Sequence, residues 1–227
     1  NVKSIFKNEE LRFYLLIVGC SVLLISINIF SAVGSSWLQA FRYSLFQVAS
    51  IVSTTGFSTV DFNQWPLFSK IILLTLISIG ACAGSTAGGL KMSRVLILLK
   101  QTKLNLQRLL HPQKVEAITM DGKLVDKEIV HQICSYFFCY CLVLVIIILL
   151  VSLDNFDLET TVSACFTCLG NVGPGFGLAG PAANFSMFSD FSKIVLSVAM
   201  LIGRLEIYPI LIFFSVFLHG RRTKRQK

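Results

Sequence analysis

The sequence predicts an all-α integral membrane protein in two tandem repeats, each a membrane helix, a loop built on a re-entrant half-helix, and a second membrane helix. Charged residues make up only 14% of the 227 residues, whereas a soluble domain carries about a quarter. The mean hydropathy is +0.73. A bilayer span needs about 20 predominantly apolar residues. Four long runs contain no Asp, Glu, Lys or Arg, and the first three are long enough to cross: 13–41, 71–90, 129–153 and 160–189.

The elements follow the same order in both units. The first unit, 1–100, contains span 11–33, short apolar helix 37–52, a glycine-containing segment 53–58 and an interrupted span 67–100. The second unit, 128–220, contains span 128–151, short helix 158–168, a glycine-containing segment 169–175 and span 190–219. We call 53–58 and 169–175 the first and second glycine segments. A basic loop, 101–127, joins the units, and a basic tail covers 221–227.

The two units align at an offset of 117 residues. Residues 44–57 can be laid over 161–174, which places Gly56 on Gly173. The preceding spans align at nearly the same offset, and each begins just after an acidic residue, Glu10 or Glu128. Because sequence identity between the units is low, the repeat rests on the order of elements and on the glycine match.

The two short helices indicate pore loops. At 1.5 Å per residue, 11 to 16 residues cross roughly half of a ~30 Å hydrocarbon core. Non-helical backbone survives at that depth only when it is buried in protein or lines a water-filled path. Carbonyl groups of such a segment can replace the hydration shell of a cation, and the C-terminal end of the half-helix favours positive charge. The alternative is an ordinary turn after a buried short helix. Two such loops at equivalent positions favour the pore interpretation.

A glycine-rich stretch interrupts the second span of the first unit. Residues 80–89 contain four glycines and are followed at once by Lys91. Each glycine costs a helix roughly 1 kcal/mol relative to alanine. The stretch is either a close helix-packing surface of small residues or an unwound, movable intramembrane segment. We favour the movable segment.

The last span carries two charges, Arg204 and Glu206. Charges inside a membrane usually face a bundle interior or an aqueous cavity. Residues two apart on a helix do not face each other, so each charge needs a separate partner or water. One interpretation is a structural ion pair, for example Glu206 with Lys91. The other is that Arg204 projects into a permeation path as an electrostatic barrier.

Basic clusters orient the chain. The net charge is +8, but the basic residues flank the apolar runs rather than forming a soluble patch, so nucleic acid is not an expected partner. The positive-inside rule places the N-terminus, the 101–127 loop and the tail in the cytoplasm. The expected location is therefore a bacterial inner membrane, multi-pass, with lipid contacts at the basic clusters.

Motifs for covalent chemistry or a resident cofactor are not found in the sequence. All seven cysteines lie in apolar stretches, where Cys behaves as a small hydrophobe. The pair Cys165 and Cys168 has CxxC spacing, but no second pair or histidine stands at metal-binding spacing. The sequence lacks a HExxH motif and a nucleophile–histidine pairing. We expect neither an enzyme nor a cofactor.

Four motifs, in order, resemble the Trk/Ktr/HKT superfamily of potassium transporters, and in particular its TrkH/TrkG-type membrane subunit. They are Ser53–Thr59 (STTGFST) with the following DFN and WP, 84–91 (GSTAGGLK), 171–175 (NVGPG) and 203–206 (GRLE). In this family four membrane helix–pore loop–membrane helix repeats surround one pore, so the resemblance implies that this chain holds repeats three and four. It implies that potassium is the transported ion and that a glycine-rich intramembrane loop gates its uptake.

The resemblance assigns roles to individual residues. The filter glycines would be Gly56 and Gly173, and neighbouring filter backbone would come from Thr54, Thr55, Phe57, Asn171, Val172 and Pro174. The gate would comprise Gly80, Gly84, Ser85, Thr86, Gly88, Gly89, Lys91 and the barrier residue Arg204. Potassium would be held by backbone carbonyls of the filter residues, with no other metal site.

The sequence holds only two of the four repeats that the family uses. We expect the chain to be the C-terminal half of a longer protein, whose N-terminal repeats would complete the pore. The resemblance also implies a homodimer and a cytoplasmic nucleotide-binding regulatory subunit as partners. Two alternatives stay open: a broken-helix secondary transporter that binds a substrate at the midplane, and a non-conducting half-subunit.

Overall fold

A computed structural model describes residues 8–33, 36–85, 87–111 and 117–205. Seven α-helices occupy most of these residues: α1 Glu9–Val33, α2 Trp37–Val52, α3 Leu67–Ser78, α4 Met92–Leu110, α5 Lys127–Val151, α6 Leu158–Gly170 and α7 Asp190–Leu205. Short 3₁₀ turns lie at Phe62–Gln64, Ser152–Asp154, Gly177–Ala179 and Phe185–Met187.

Two of the described helices are long and apolar enough to cross a membrane. They are α1, and α5 together with the 3₁₀ turn that follows it. Helix α3 is apolar but has only 12 residues, and the last 14 residues of the predicted span 190–219 lie outside the described part. Of the four predicted spans, the ones that contain α1 and α5 therefore have the length and composition of a membrane-crossing helix.

The short helices begin at side-chain caps. Ser36 accepts a hydrogen bond from the Gln39 backbone at the start of α2, and Asp157 accepts one from Thr160 at the start of α6. Such caps satisfy N–H groups that the first turn of a helix leaves free. Helix α2 buries one face, at positions three or four residues apart, whereas α6 is buried on nearly all sides. Burial on all sides places α6 in the interior of the protein.

Two hydrophobic cores lie side by side, and each contains residues from both units. The first joins α1, α2 and α3 around Ile25, Val48 and Leu73, and the second joins α5, α6 and α7 around Cys165 and Leu196. The first core also contains Val172 and Phe176 from the second unit, and the second core contains Leu90 from the first. The two units are therefore interlocked rather than merely adjacent.

The segment 101–127 is more ordered than the predicted loop. Its first ten residues continue α4, and a β-hairpin follows, with β1 Thr119–Met120 paired antiparallel to β2 Lys123–Leu124. The turn residues Asp121 and Gly122 have φ of 52° and 77°, the left-handed conformation that favours Asp-Gly in a two-residue hairpin. The hairpin packs with α4 and α5 around Ile97, Ile118 and Val130.

Candidate functional site

The first and second glycine segments have the same backbone pattern. Immediately after α2, Thr54 and Gly56 have φ of 54° and 78°. Immediately after α6, Asn171 and Gly173 have φ of 55° and 110°. The two pairs stand 117 residues apart in the sequence. Left-handed φ at a β-branched residue such as Thr54 is uncommon and costs on the order of 1–3 kcal/mol, and such strain often marks a functional segment.

Backbone hydrogen bonds repeat at the same offset. The Thr55 N–H donates to the Ser50 carbonyl at 2.9 Å, and the Val172 N–H donates to the Thr167 carbonyl at 3.0 Å. The Thr54 and Asn171 N–H groups likewise donate to carbonyls three residues back in their helices, at 3.0 and 3.2 Å. Each segment is therefore folded back onto the C-terminal turn of its own short helix.

A hydroxyl of each short helix holds the far end of its glycine segment. Ser50 Oγ donates to the Phe57 carbonyl at 2.6 Å, and Thr167 Oγ1 donates to the Pro174 carbonyl at 3.1 Å. These two bonds are also related by 117 residues. The sequence alone gave no reason to single out Ser50 and Thr167, although the alignment of 44–57 with 161–174 places them at matching positions.

The two glycine segments touch each other at Gly56. A Cβ at Gly56 would overlap the carbonyl oxygen of Val172 and lie 3.2 Å from Pro174 Cδ, so only glycine allows this approach. A Cβ at Gly173 would meet no atom of the described residues within 4 Å. Thr55, which matches Val172 in the alignment, is exposed. Among the described residues, the two segments therefore contact each other at Gly56 and Val172 and are open at Gly173 and at Thr55.

The chemistry available at the segments is that of backbone carbonyl groups. Neither segment contains a charged side chain, and the described residues hold no cluster of His, Cys, Asp or Glu that could bind a metal ion. Both segments follow the C-terminal ends of short helices, where the helix dipole is negative. Carbonyl oxygens beside two negative helix ends suit a hard monovalent cation that exchanges water for carbonyl ligands.

The glycine-rich loop, residues 79–91, separates α3 from α4 and is closed by backbone hydrogen bonds. The Gly80 N–H donates to the Leu90 carbonyl at 2.8 Å, and the Leu90 N–H donates to the Ser78 carbonyl at 3.1 Å. Both ends of the loop are buried, whereas Ala83 and Gly84 at its tip are exposed. The helical part of the predicted span 67–100 is therefore interrupted here, as the four glycines predict.

The loop contacts the second unit next to the second glycine segment. A Cβ at Gly88 would lie 2.5 Å from the Gly170 carbonyl oxygen and 3.0 Å from Asn171 Cβ. A Cβ at Gly170 would lie 2.8 Å from the Ile77 carbonyl oxygen. Two glycines thus bring the end of α6 into direct backbone contact with the loop at Gly88 and with the last turn of α3 at Ile77.

The remaining predicted gate residues are dispersed. Ser85 is half-buried in the loop, Gly89 has a φ of 75°, and Lys91 occupies the N-cap position of α4 without a side-chain capping hydrogen bond. Thr86 and Glu206 lie outside the described residues, so the pairing considered for Glu206 with Lys91 is not tested. Arg204 lies exposed in the last described turn of α7.

Helix α7 reaches the second glycine segment through the residue before Arg204. A Cβ at Gly203 would overlap the Leu169 carbonyl oxygen and lie 2.8 Å from Asn171 Nδ2. Asn171 Nδ2 in turn donates to the Met200 carbonyl at 3.0 Å. Arg204 therefore extends from a turn of α7 that is fastened to the start of the second glycine segment.

Sequence reasoning did not predict the residues that join the two units beside the glycine segments. Asn63 Oδ1 accepts from the Gly177 N–H at 2.9 Å, and Asn63 Nδ2 donates to the Gly177 carbonyl at 3.3 Å. Lys70 Nζ pairs with Glu159 at 2.8 Å. A signal existed: Phe62–Lys70 (FNQWPLFSK) and Phe185–Lys193 (FSMFSDFSK) share four identical positions, and each starts with a 3₁₀ turn capped by Asp61 or Asn184.

The fold and the site define a helical membrane protein with two short helices, each ending in a glycine-containing backbone segment, and these two segments contact each other. A family model described as TrkH, cation transport protein, matches residues 4–224. The chain therefore belongs to the TrkH family. The family resemblance and the helical membrane-protein class predicted from the sequence are both confirmed.

Individual relatives agree with this assignment. The Trk system potassium uptake protein TrkG of Escherichia coli K12 is 34% identical over 95% of this chain and 44% of its own length. The TrkH of Vibrio parahaemolyticus is 38% identical over 94% of this chain. The crystal structure of the potassium transporter TrkH from that organism superposes with a TM-score of 0.85 and 37% identity, covering 93% of this chain and 45% of that one. The chain thus spans less than half the length of these relatives.

Proposed function

We propose that the chain forms part of the wall of a potassium-uptake pathway, in which the two glycine segments supply backbone carbonyls of the selectivity filter. One observation carries the proposal. The left-handed residues and the hydrogen bonds of the two segments recur at one offset of 117 residues, and Gly56 packs directly against Val172. A filter built from repeated backbone segments requires this combination of matching conformation and close approach.

Potassium is proposed as the ion because of the names of the relatives and the nature of the ligands. TrkG and TrkH are named as potassium uptake proteins. Neutral carbonyl oxygens bind K⁺ without the charge that would favour a divalent cation. Conduction through such a filter involves no covalent step, so the proposed activity is transport without enzymatic chemistry.

The open edges of the site support a partner that completes the ring. Gly56 is covered by the Val172 carbonyl, whereas the equivalent side of Gly173 is open among the described residues, and Thr55 is exposed. If each segment contacts the next in the same way, a further segment must cover Gly173 and another must reach Thr55. We propose that the N-terminal repeats of the same protein supply both. A homodimer and a cytoplasmic nucleotide-binding regulatory subunit remain proposals from the family resemblance.

The glycine-rich loop is proposed as the gate. It lies beside the second glycine segment through the Gly88–Gly170 contact, and its exposed tip can move without disturbing a hydrophobic core. Arg204, on the turn of α7 next to Gly203, is proposed as an electrostatic barrier near the same place. The hairpin and the basic loop are assigned to the cytoplasmic side by the positive-inside rule.

The test is growth of a potassium-uptake-deficient bacterium at low potassium. The chain alone is compared with the chain joined to the N-terminal half of TrkH from Vibrio parahaemolyticus, and we expect rescue only by the joined protein. In the joined protein, Gly56→Ser and Gly173→Ser should each lower the K⁺ over Na⁺ selectivity of ion flux. Gly19→Ser is the control, because Gly19 lies exposed in α1 with no described atom near its Cβ position.

Three outcomes contradict the proposal. Unchanged selectivity in both filter variants would remove the glycine segments from the filter. Rescue by the chain alone would contradict the need for further repeats. Failure of the joined protein to conduct, with normal membrane insertion, would favour the non-conducting half-subunit.

A further inference from the structure

A buried carboxylate at the start of α1 holds the glycine-rich loop. Glu10 is only 9% exposed. Its Oε1 accepts one hydrogen bond from the Ala83 N–H at 2.6 Å and another from the Ser93 N–H at 3.1 Å. Ala83 lies at the tip of the loop and Ser93 in the first turn of α4, so one oxygen atom bridges the loop and the helix that follows it.

The geometry makes this a strong attachment. Hydrogen bonds from N–H groups to an ionised acceptor are roughly twice as strong as neutral ones. The Ser93 N–H belongs to the N-terminal turn of α4, where the helix dipole favours a negative charge. A carboxylate removed from water destabilises the protein unless such donors meet it. Glu10 therefore stabilises the observed loop position, and the loop in turn satisfies Glu10.

The end of α1 that carries Glu10 is itself fixed. Asn8 caps the helix by accepting from the Leu11 N–H at 2.8 Å. Asp121, in the turn of the hairpin, accepts from the Glu9 N–H at 2.7 Å and from Asn8 Nδ2 at 3.2 Å. Lys100 on α4 is paired with Glu9 and also donates to the Thr119 carbonyl at 2.6 Å. Glu10 is therefore held from several directions.

We propose that Glu10 is a positioning residue that fastens the tip of the glycine-rich loop to the start of α1. The consequence for ion flux rests on the proposed function, in which this loop is the gate. Releasing the bond frees Ala83 and the neighbouring Cys82 to leave the observed position. The loop position and the flux can be measured separately, which allows the two proposals to fail independently.

The second unit supplies a matched control. Glu128 occupies the corresponding place at the start of α5, but its side chain is exposed. Removing the charge at that position therefore breaks no hydrogen bond to the loop. Substitution of Glu128 reproduces the loss of one carboxylate at a helix start and nothing more.

The experiment measures thiol labelling of Cys82 in the joined protein. Cys82 is half-buried in the loop, and peptide-resolved mass spectrometry gives its rate with a membrane-impermeant thiol reagent relative to that of Cys134. The rate is taken as the pH-independent rate constant of the thiolate, so that loss of the nearby Glu10 charge does not itself change it. We compare Glu10→Ala, Glu10→Gln, Glu128→Ala and the unsubstituted protein, and measure Rb⁺ flux in proteoliposomes of each. Glu10→Ala should raise the Cys82 rate about tenfold. Glu10→Gln, which keeps an acceptor without the charge, should give a smaller rise, and Glu128→Ala no change.

The outcomes decide the two proposals separately. An unchanged Cys82 rate in both Glu10 variants, or an equal rise in Glu128→Ala, overturns the positioning role. If Glu10→Ala fails to assemble, Glu10→Gln gives the deciding rate. A raised Cys82 rate with unchanged Rb⁺ flux supports the attachment and contradicts the proposal that the loop is the gate. A rise in both supports both.

Discussion

At the scale of single residues, the two glycines proposed for the filter differ in their surroundings. Gly56 faces the Val172 carbonyl at too short a distance for a Cβ, whereas the space beside Gly173 is open among the described residues. Glycine is required at Gly56 by contact and by φ, but at Gly173 by φ alone. The difference exists because the described residues supply a neighbour on one side only.

The first prediction concerns alanine at these two glycines in the joined protein. Gly56→Ala should strongly lower the thermal unfolding temperature, because the Cβ overlaps a backbone oxygen and the left-handed φ adds strain. If further repeats cover Gly173 in the same way, Gly173→Ala should lower the thermal unfolding temperature to a similar extent. The measurement is the unfolding temperature in detergent, followed by fluorescence, with Gly19→Ala as the control.

A mild effect at Gly173 would contradict ring closure. Backbone strain alone costs roughly 1–3 kcal/mol, which leaves a folded protein with a lowered unfolding temperature. A larger decrease in the unfolding temperature requires a steric overlap in addition. The size of the Gly173→Ala effect therefore reports whether another backbone segment lies against this glycine.

At the scale of the helices, α6 depends on its N-terminal cap. Asp157 Oδ1 accepts from Thr160 Oγ1 at 2.7 Å and Oδ2 accepts from the Thr160 N–H at 3.0 Å. Both bonds lower the pKa of Asp157 below its ordinary value, and the bond from the Thr160 hydroxyl has the larger effect. Because they favour the ionised form, they stabilise the start of α6, and α6 places the second glycine segment.

The second prediction is a pH-dependent loss of this cap. The lowered pKa means that the stabilisation is fully present above the unfolded-state pKa of about 4 and is lost as the pH falls through the folded-state value. Asp157→Ala should destabilise the protein by about 1 kcal/mol at neutral pH. The difference from the unsubstituted protein should begin to shrink below about pH 4 and keep shrinking as the pH falls through the lower folded-state pKa, as measured by unfolding temperature between pH 3 and pH 7.

Asp126 is the matched control for the cap. It occupies the N-cap of α5 but makes no side-chain capping hydrogen bond. Asp126→Ala should therefore change the unfolding temperature little at any pH. Equal effects of the two alanine variants would show that the Asp157 bonds contribute nothing specific.

The sequence predicts most helices well and the loop 101–127 poorly, for a physical reason. Helix limits depend on local features such as Ser36 at the start of α2 and the glycines after Ser78, and these can be read without knowing the fold. The hairpin was missed although Asp121-Gly122 is a strong turn signal. Its strands are only two residues long, and a hairpin of that size needs the packing against α4 and α5 that the sequence does not display.

The candidate site is predictable in composition and not in contacts. The positions of Gly56 and Gly173 follow from the repeat and the family resemblance. The contact of Gly56 with Val172 and the attachment of Glu10 to Ala83 join residues far apart in the chain. Such pairs depend on how whole helices pack, which no local pattern records. Glu10 in particular is chemically identical to exposed Glu128 when only the sequence is known.

At the scale of the whole molecule, the two units are held in register beside the glycine segments. The amide of Asn63, in the first unit, makes two hydrogen bonds with the backbone of Gly177 in the second. Phe62 packs edge-to-face on Phe176 with ring centroids 5.5 Å apart. Val172 of the second unit lies in the same hydrophobic core as Phe62 and Phe176. The alignment of Gly56 with Val172 therefore depends on an interface, not on either unit alone.

The last prediction tests this interface. Asn63→Ala removes both hydrogen bonds to Gly177 and should destabilise the joined protein by about 1–3 kcal/mol, since two polar backbone groups lose their partner. It should also lower K⁺ over Na⁺ selectivity in Rb⁺ and Na⁺ flux assays, because the glycine segments lose a fixed spacing. Asn184→Ala is the control, since Asn184 is exposed and its side chain accepts from the Ser186 N–H within its own 3₁₀ turn.

The two readouts separate a local effect from one on the register of the units. If both asparagine variants lower stability equally and leave selectivity unchanged, Asn63 acts only as a turn residue, and the interface does not set the filter geometry. If Asn63→Ala alone lowers selectivity, the contact between the units sets the geometry of the filter, although Asn63 itself lies outside both glycine segments. That outcome is expected, because carbonyl ligands discriminate between ions only while the surrounding structure holds their number and spacing.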